Sequence, residues 1–152
     1  MNPVYRSPTQ EDIEHVAANM RDVDVLEVAA SGGRTPLLAL VDSINESTIS
    51  QTAVFDGVPV AIFGFVYDDI SDKAGVWMLC TNDVYKHRAT FLRESVRILT
   101  GWLPLAEELY NFVAVDNAIT RRWLKLAGFV EGDEMPYGPM GFPFVRVSYQ
   151  RV

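Results

Sequence analysis

The spacing of apolar residues in the first third of the chain predicts one short strand followed by three helices. Val4 to Arg6 alternates and predicts the strand. Helical spacing then predicts a helix capped by Ser7 or Thr9, a second from Asp22 to Ala30, and a third that starts at Thr35-Pro36. We expect the buried side of the second helix to consist of four apolar residues, namely Val25, Leu26, Val28 and Ala29.

From Ile49 the period of the pattern changes to two, which predicts strands. The segments before and after Asp56-Gly57 alternate, and an Asp-Gly pair is typical of the two-residue turn of a hairpin. Gly64 within the second strand indicates either a bulge or the close approach of another backbone. A further strand is predicted from Gly75 to Thr81, followed by a long amphipathic helix that Pro104 limits.

The segment from Leu109 to Val130 predicts a strand that leads directly into a helix. Its near-continuous apolar start suits a strand buried on both faces. Asp116 or Asn117 can cap the helix, and Gly128 supplies a left-handed end before Phe129 returns to the core. The predicted apolar residues of this helix are Ile119, Trp123, Leu124 and Leu126.

The last part of the chain predicts a closing hairpin. The stretch from Glu131 to Gly141 is dense in Gly and Pro and predicts a wide loop, whereas Phe142 to Tyr149 alternates like a strand. A helix between two strands of one sheet implies a crossover and therefore locally parallel pairing. We expect residues 1–152 to form a single domain.

Composition excludes several classes of function. A net charge of -7 and a pI near 4.7 argue against a general nucleic-acid or anionic-membrane binder. The start of the chain does not resemble a signal peptide and no long apolar run follows, so we expect a protein that neither spans a membrane nor is exported. The single Cys80 is interpreted as a small core residue in a reducing cytoplasm, and no Cys or His cluster has metal-site spacing.

The spacing from Asn117 to Gly128-Phe129 resembles the last motif of the GNAT acyltransferases, and the order of elements resembles their topology. This resemblance implies an α/β (α+β) fold with three layers, α-β-α. It also implies a twisted, mixed, mostly antiparallel sheet that is split by a V-shaped notch for acyl-CoA. The family's frequent general-acid Tyr falls at Leu124, which has no proton to donate.

The resemblance also implies positions for acetyl-CoA or CoA. Leu79 and Thr81 would meet the pantetheine arm, and Asn117 belongs to the same set. The turn that meets the pyrophosphate would consist of Lys86, His87, Arg88, Ala89 and Phe91.

This turn departs from the family pattern in a way that argues against cofactor binding. Ala89 and Phe91 stand where glycine or a small residue is expected, so Phe91 would fill pyrophosphate space unless the helix is shifted. Lys86 and Arg88 fit either anion binding or an exposed helix start, His87 fits a solvated loop, and Asn117 also fits a simple helix cap. The candidates for a catalytic acid or base are Tyr85 and Asp83, beside the expected notch.

Three segments together resemble a narrower family, the GNAT-like internal virion protein A of short-tailed bacteriophages. They are VWMLCTNDVY, FLRESVRIL and LYNFVAVDNAITRRWLKLAGFVE. This resemblance implies a phage or prophage protein that assists virion assembly on an acyltransferase scaffold that need not catalyse. It also implies a location in the host bacterial cytoplasm or the virion, with virion proteins as partners. The alternative is an active acetyl-CoA-dependent N-acyltransferase acting on a small-molecule or protein amine. Both hypotheses remain open at this stage.

Overall fold

The computed structural model describes residues 2–150, and within them it forms one mixed seven-stranded sheet with helices on both sides. The elements are, in order, β1 Val4–Arg6, α1 Gln10–Ala18, α2 Asp22–Gly32, α3 Pro36–Glu46, β2 Ile49–Phe55, β3 Val58–Asp68, β4 Lys73–Cys80, α4 Arg88–Trp102, β5 Glu108–Ala114, α5 Ala118–Ala127, β6 Val130–Tyr137 and β7 Phe142–Gln150. Short 3-10 helices at Asn82–His87 and Leu103–Leu105 flank α4. The strand order is β1-β2-β3-β4-β5-β7-β6, which confirms the predicted fold class.

The two faces of the sheet carry different helices. Ile62 and Leu79 pack with α1 and α3 on one face, in a cluster that includes Val16 and Leu40. Alternate residues of the same strands, such as Phe63, point to the opposite face, where α4 and α5 lie.

The sheet divides between β4 and β5. These strands are parallel, as the crossover through α4 requires, and they pair at Lys73↔Glu108, Ala74↔Leu109 and Gly75↔Tyr110. β4 continues to Cys80 and β5 to Ala114, beyond the last of these pairs. The two strands therefore diverge and leave a notch between their carboxyl ends.

The β2–β3 hairpin has the predicted tight turn, because Asp56 and Gly57 both have positive φ angles, of 51° and 78°. Gly64, however, marks neither a bulge nor a backbone approach. The register shift lies between Ala53 and Val54 of β2. Gly64 is needed because a Cβ there would lie 2.6 Å from Cε2 of Trp77, so the prediction for this glycine was wrong.

The predicted buried side of α2 was only partly correct, because its two predicted valines are partly buried against the cluster of α1 and α3 but the other two residues are not. Leu26 is 69% exposed and Ala29 is exposed, whereas Asp24 is the buried residue of the helix. The physical reason is that Asp24 forms a buried ion pair with Arg21. Because each charge neutralises the other, both side chains can be buried on a face of the helix that would otherwise need apolar residues.

The segment around α5 follows most of its predictions. Asn117, not Asp116, is the cap and accepts the Thr120 N–H at 3.2 Å, while Gly128 has φ 112° and Phe129 is buried. Ile119 and Leu126 are exposed, so the predicted apolar side was only partly correct. β5 is not buried on both faces either: Phe112 is half-buried and stacks on Tyr137, 4.4 Å between ring centroids.

The predicted wide loop after Glu131 is mostly strand. β6 extends to Tyr137 and turns through Gly138 and Gly141, both with positive φ, into β7. Pro136 is tolerated because β6 is an edge strand, where a missing N–H leaves no ladder bond unmade.

Across residues 2–150, no helix is both long enough and apolar enough to cross a membrane.

Candidate active site at the strand fork

Because β4 and β5 separate at the notch, some of their backbone N–H groups have no carbonyl of a neighbouring strand to donate to. These N–H groups donate to polar side chains instead. The N–H of Cys80 donates to Oδ2 of Asp24 at 3.1 Å, and the N–H of Phe112 donates to Oδ1 of Asn111 at 2.7 Å. The N–H of Ala114 is hydrogen-bonded to the carboxylate of Glu27. Since Asp24 and Glu27 both belong to α2, this helix touches both strands of the fork.

Arg21 lies across the mouth of the notch and is only 1% exposed. Its guanidinium donates two hydrogen bonds to Asp24, at 2.9 and 2.8 Å. It also donates to the hydroxyls of Tyr85 at 3.3 Å and Thr120 at 3.4 Å, and it lies 5.4 Å from the ring of Trp123. Burial alone would lower the pKa of Arg21, but the hydrogen bond to Asp24 and the charge interactions with its neighbours together raise the pKa, so the group stays a cation.

Cys80 is fully buried at the end of β4, as predicted for a core residue. Its Sγ lies 3.5 Å from Oδ2 of Asp24. Burial and the nearby Asp24 charge raise the pKa of the thiol well above its ordinary value. Cys80 is therefore a protonated thiol at neutral pH.

Glu27 is the titratable group whose environment best suits acid–base chemistry, and the sequence analysis missed it. Its carboxylate accepts a hydrogen bond from Nδ2 of Asn117. Burial raises the pKa of Glu27 to about 7; the Asn117 bond opposes this shift and the Asp24 charge adds to it. The available signal was the spacing of Arg21, Asp24 and Glu27, which recur every three residues and so share one face of α2.

An apolar cavity of about 120 Å³ lies between the sheet and the two helices α4 and α5. Met78 of β4 and Asn111 of β5 contribute to its wall, so the cavity borders both strands of the notch. Leu124, at the position where the sequence resemblance implies a Tyr, also lines it. Arg21 and Thr120 line it as well, beside the notch mouth.

The residues predicted to meet pantetheine have structural roles. The side chain of Leu79 is buried in the α1–α3 layer. Thr81 is 3% exposed, its N–H donates to the carbonyl of Val60 at 2.9 Å, and its hydroxyl accepts the N–H of Asp83 at 3.2 Å. Thr81 therefore caps the 3-10 helix that follows β4, and the predicted strand ends one residue earlier, at Cys80.

The predicted phosphate turn lies at the start of α4. Lys86, Arg88 and Ala89 are exposed there, and Lys86 forms an ion pair with Asp83 at 3.2 Å. His87 is not a solvated loop residue, because its ring stacks on Phe55 at 4.2 Å. As the N-cap of α4, His87 makes no side-chain cap bond, so the first N–H groups of the helix have no side-chain acceptor from the cap.

Phe91 points away from this helix start. It is 7% exposed, its ring lies 5.5 Å from that of Trp123, and it forms part of the cavity wall. The ring therefore occupies the interior between α4 and α5.

The two candidates for acid–base catalysis are separated by the structure. Tyr85 reaches the notch, where its hydroxyl accepts from Arg21 and its ring lies 6.2 Å from Trp123. Asp83 lies outside, paired with Lys86 and beside a small recess lined by His15 and Asn19. The site thus combines Tyr85 with Glu27, Asn117 and Arg21. In the described part of the chain, no three His, Cys, Asp or Glu residues are grouped so that they could hold a metal ion.

Known structures share this architecture over nearly the whole chain. A GNAT-family acetyltransferase from Bacillus anthracis superposes with a TM-score of 0.72 at 12% identity, covering 99% of this chain and 95% of that one. The fold is that of the GNAT acetyltransferases. The microcin C7 self-immunity acetyltransferase MccE, in complex with acetyl-CoA and AMP, matches with a TM-score of 0.74 at 9% identity, covering 99% of this chain and 93% of that one.

A third structural neighbour is an aminoglycoside acetyltransferase in complex with coenzyme A, with a TM-score of 0.70 at 14% identity and coverage of 98% of this chain and 95% of that one. No family model matches the sequence, and no curated protein matches it either. The narrower resemblance to phage internal virion proteins gains no support from these comparisons and stays a prediction.

Proposed function

We propose that this protein is an acyl-CoA-dependent N-acyltransferase in which Glu27 is the general base. The observation that carries the proposal is a partly buried carboxylate at the fork of β4 and β5, hydrogen-bonded to Asn117, with a pKa raised to about 7. A general base works best when its pKa is near the working pH, because it is then both available and basic enough.

The residues of the notch fit the pantetheine part of acyl-CoA. The N–H groups of Phe112 and Ala114 face the gap between the strands, and their present acceptors are side chains that can exchange for a ligand carbonyl. The apolar cavity continues from the gap and excludes water from the thioester end.

The start of α4 fits the phosphates. Its first N–H groups lack a side-chain acceptor from the cap, and a helix N-terminus favours anions. Arg88 adds a cation at the same exposed end, while the ring of Phe91 is turned inward. We propose that the phosphates bind at this exposed end, on the side of the helix start away from the ring of Phe91.

Acyl-CoA supplies an acyl group already activated as a thioester. Glu27 accepts the proton of the incoming amine, and Asn117 fixes the position of the carboxylate. Because Arg21 donates to the phenol oxygen of Tyr85, the Tyr85 hydroxyl proton points elsewhere and can be donated to the leaving sulfur. Tyr85 thus acts as the general acid, a role that Leu124 cannot take because its side chain has no proton to donate.

One observation favours a second candidate, a GNAT-like protein without catalysis. The buried Arg21–Asp24 pair lies across the notch mouth, where it competes with a ligand for the same space. Assistance in phage virion assembly, with virion proteins as partners, is the form of this candidate that the sequence resemblance implies.

Isothermal titration with acetyl-CoA and with free CoA tests the proposal first. We expect micromolar binding, weakened about tenfold by Arg88→Ala because a phosphate loses a charge-assisted contact. Under the second candidate neither compound gives heat, and the melting temperature stays unchanged when they are added.

Turnover with a panel of amines then tests the role of Glu27. We expect Glu27→Gln to lower kcat by about 10² to 10⁴, with acetyl-CoA binding retained. Glu14→Gln, at an exposed acid of α1, is the matched control and should leave kcat unchanged. Equal rates for Glu27→Gln and the wild type would exclude Glu27 as the base.

A further inference from the structure

We infer that the cavity beneath α4 holds the acyl chain of the donor, so that the preferred donor carries an apolar acyl group longer than acetyl. This inference rests on the proposed transferase function and adds the substrate class to it. The relevant feature is the long helix α4, whose sheet-facing side is not fully buried against the sheet.

The face of α4 that points to the sheet is apolar yet incompletely buried. Phe91 is the buried residue of the helix, whereas Ile98, Leu99 and Trp102 on the same side are half-buried. All four line the cavity. Side chains of this size are usually closely packed in a core, so the space beside them is room that the protein itself leaves unfilled.

The cavity extends sideways from the notch rather than along it. At one end its wall contains Met78 and Leu124, beside the fork. At the other end it contains Tyr5 of β1 and Ala53 of β2. β1 lies three strands from β4, a distance of about 14 Å at about 4.8 Å per strand, so the space suits an elongated group.

The chemistry of the wall selects an apolar occupant. Leu124 brings a methyl-bearing side chain to the position where the family resemblance implies a phenol. At the far end the Tyr5 hydroxyl donates to Glu94 at 2.9 Å, and Glu94 binds Arg97, so these polar groups already have partners. An acyl chain with a polar or charged end would therefore find no free partner among these three side chains.

The volume sets the length of the chain. Engineered apolar cavities of about 150 Å³ bind benzene, so a cavity of about 120 Å³ holds about five carbon atoms. Acetyl has one carbon beyond its carbonyl and would leave most of this space empty. Butyryl and hexanoyl groups fill it progressively.

The test is a titration of the protein with free CoA and with acetyl-, butyryl- and hexanoyl-CoA. Each buried methylene strengthens binding about fourfold, so we expect butyryl-CoA, with two more methylenes, to bind about 15-fold more tightly than acetyl-CoA. Ile98→Phe and Ser95→Leu each fill the cavity and should remove this gain. Thr100→Phe, on the exposed side of the same helix, is the matched control and should preserve the gain.

The possible outcomes separate the two proposals. The inference is supported if affinity increases with the length of the acyl chain and if both cavity-filling variants abolish this increase. Two such variants are used so that the test remains possible if one of them does not fold. Equal affinity for all three acyl-CoAs, unchanged by either filler, overturns the inference but leaves the transferase proposal in place. If none of the CoA compounds binds, both proposals are overturned together.

Discussion

Asn117 connects the start of α5 to the carboxylate of Glu27. Its Oδ1 accepts the N–H of Thr120 at 3.2 Å, and its Nδ2 donates to Glu27 across the notch. One side chain therefore stabilises a helix and also lowers the pKa of Glu27 relative to what burial alone would produce.

Two substitutions of Asn117 separate these roles, because Ser and Asp both cap helices well. Asn117→Ser removes the amide donor, so we expect the pKa of Glu27 to rise by about one unit. Asn117→Asp places a second negative charge beside Glu27 and should raise its pKa further. A carboxyl ¹³C NMR titration of Glu27 measures the order, and a pKa equal to the wild type in both variants would contradict the contact.

Glu27→Gln should change how stability depends on pH. The folded-state pKa of Glu27, about 7, is higher than its unfolded value near 4.5, so folding binds a proton between these pH values. The contribution of Glu27 to stability is therefore fully present below about pH 4.5 and is lost as pH rises through 7. The neutral Gln variant should lack this loss and be more stable than the wild type at pH 8, by on the order of 3 kcal/mol.

Urea unfolding at pH 5 and pH 8 checks this prediction, because the difference between the two proteins isolates Glu27 from the other titrating groups. The same variant is expected to lose activity. A wild type that is as stable as Glu27→Gln at pH 8 would show that Glu27 is better solvated than the structure indicates.

Asp24→Asn should destabilise the protein strongly, because it leaves the buried charge of Arg21 without its counterion. Breaking a buried pair in this way costs about 3–5 kcal/mol. Asp83→Asn is the matched control, since its pair with Lys86 lies at the surface and should contribute less than about 1 kcal/mol. Free energies of unfolding from urea titration compare the two, and equal losses would be incompatible with the buried position of Arg21.

Gly64→Ala should force a movement of Trp77. The new Cβ would lie 2.8 Å from Oγ of Ser47, which now accepts a hydrogen bond from Nε1 of Trp77 at 2.8 Å. We expect a loss of about 1–3 kcal/mol in the free energy of unfolding. Gly101→Ala meets no atom within 4 Å and lies in α4, so it should instead stabilise by up to about 1 kcal/mol. Thermal unfolding followed by tryptophan fluorescence reports both effects, and opposite signs are the expected result.

The elements that the sequence predicted best are those with strong local signals. Asp56-Gly57 can adopt the positive φ angles of a tight turn, and Asn117 with Gly128 marks both ends of α5 through caps. These features depend on a few adjacent residues, and residue types alone identify them. The overall fold followed from their order together with the resemblance to the GNAT acyltransferases.

The prediction failed where distant residues decide the environment. Leu26 was assigned to the buried face of α2 because apolar residues are usually buried, but Arg21 and Asp24 neutralise each other and take that position. Glu27 was missed for the same reason: its pKa depends on burial and on Asn117, 90 residues away. Periodicity records which residues share a face, but it does not show which face meets the notch.

The fork in the sheet also bears on how the chain folds. Strands β1 to β4 come from residues 4–80 and strands β5 to β7 from residues 108–150, and the two groups meet through three residue pairs at the β4–β5 junction. Each group can form its antiparallel pairs from its own part of the chain, so most of the sheet can form before the two parts come into contact. We therefore expect the joining of the two groups to be the late, loop-closing step, and the short junction that leaves the notch open makes this step depend on three residue pairs.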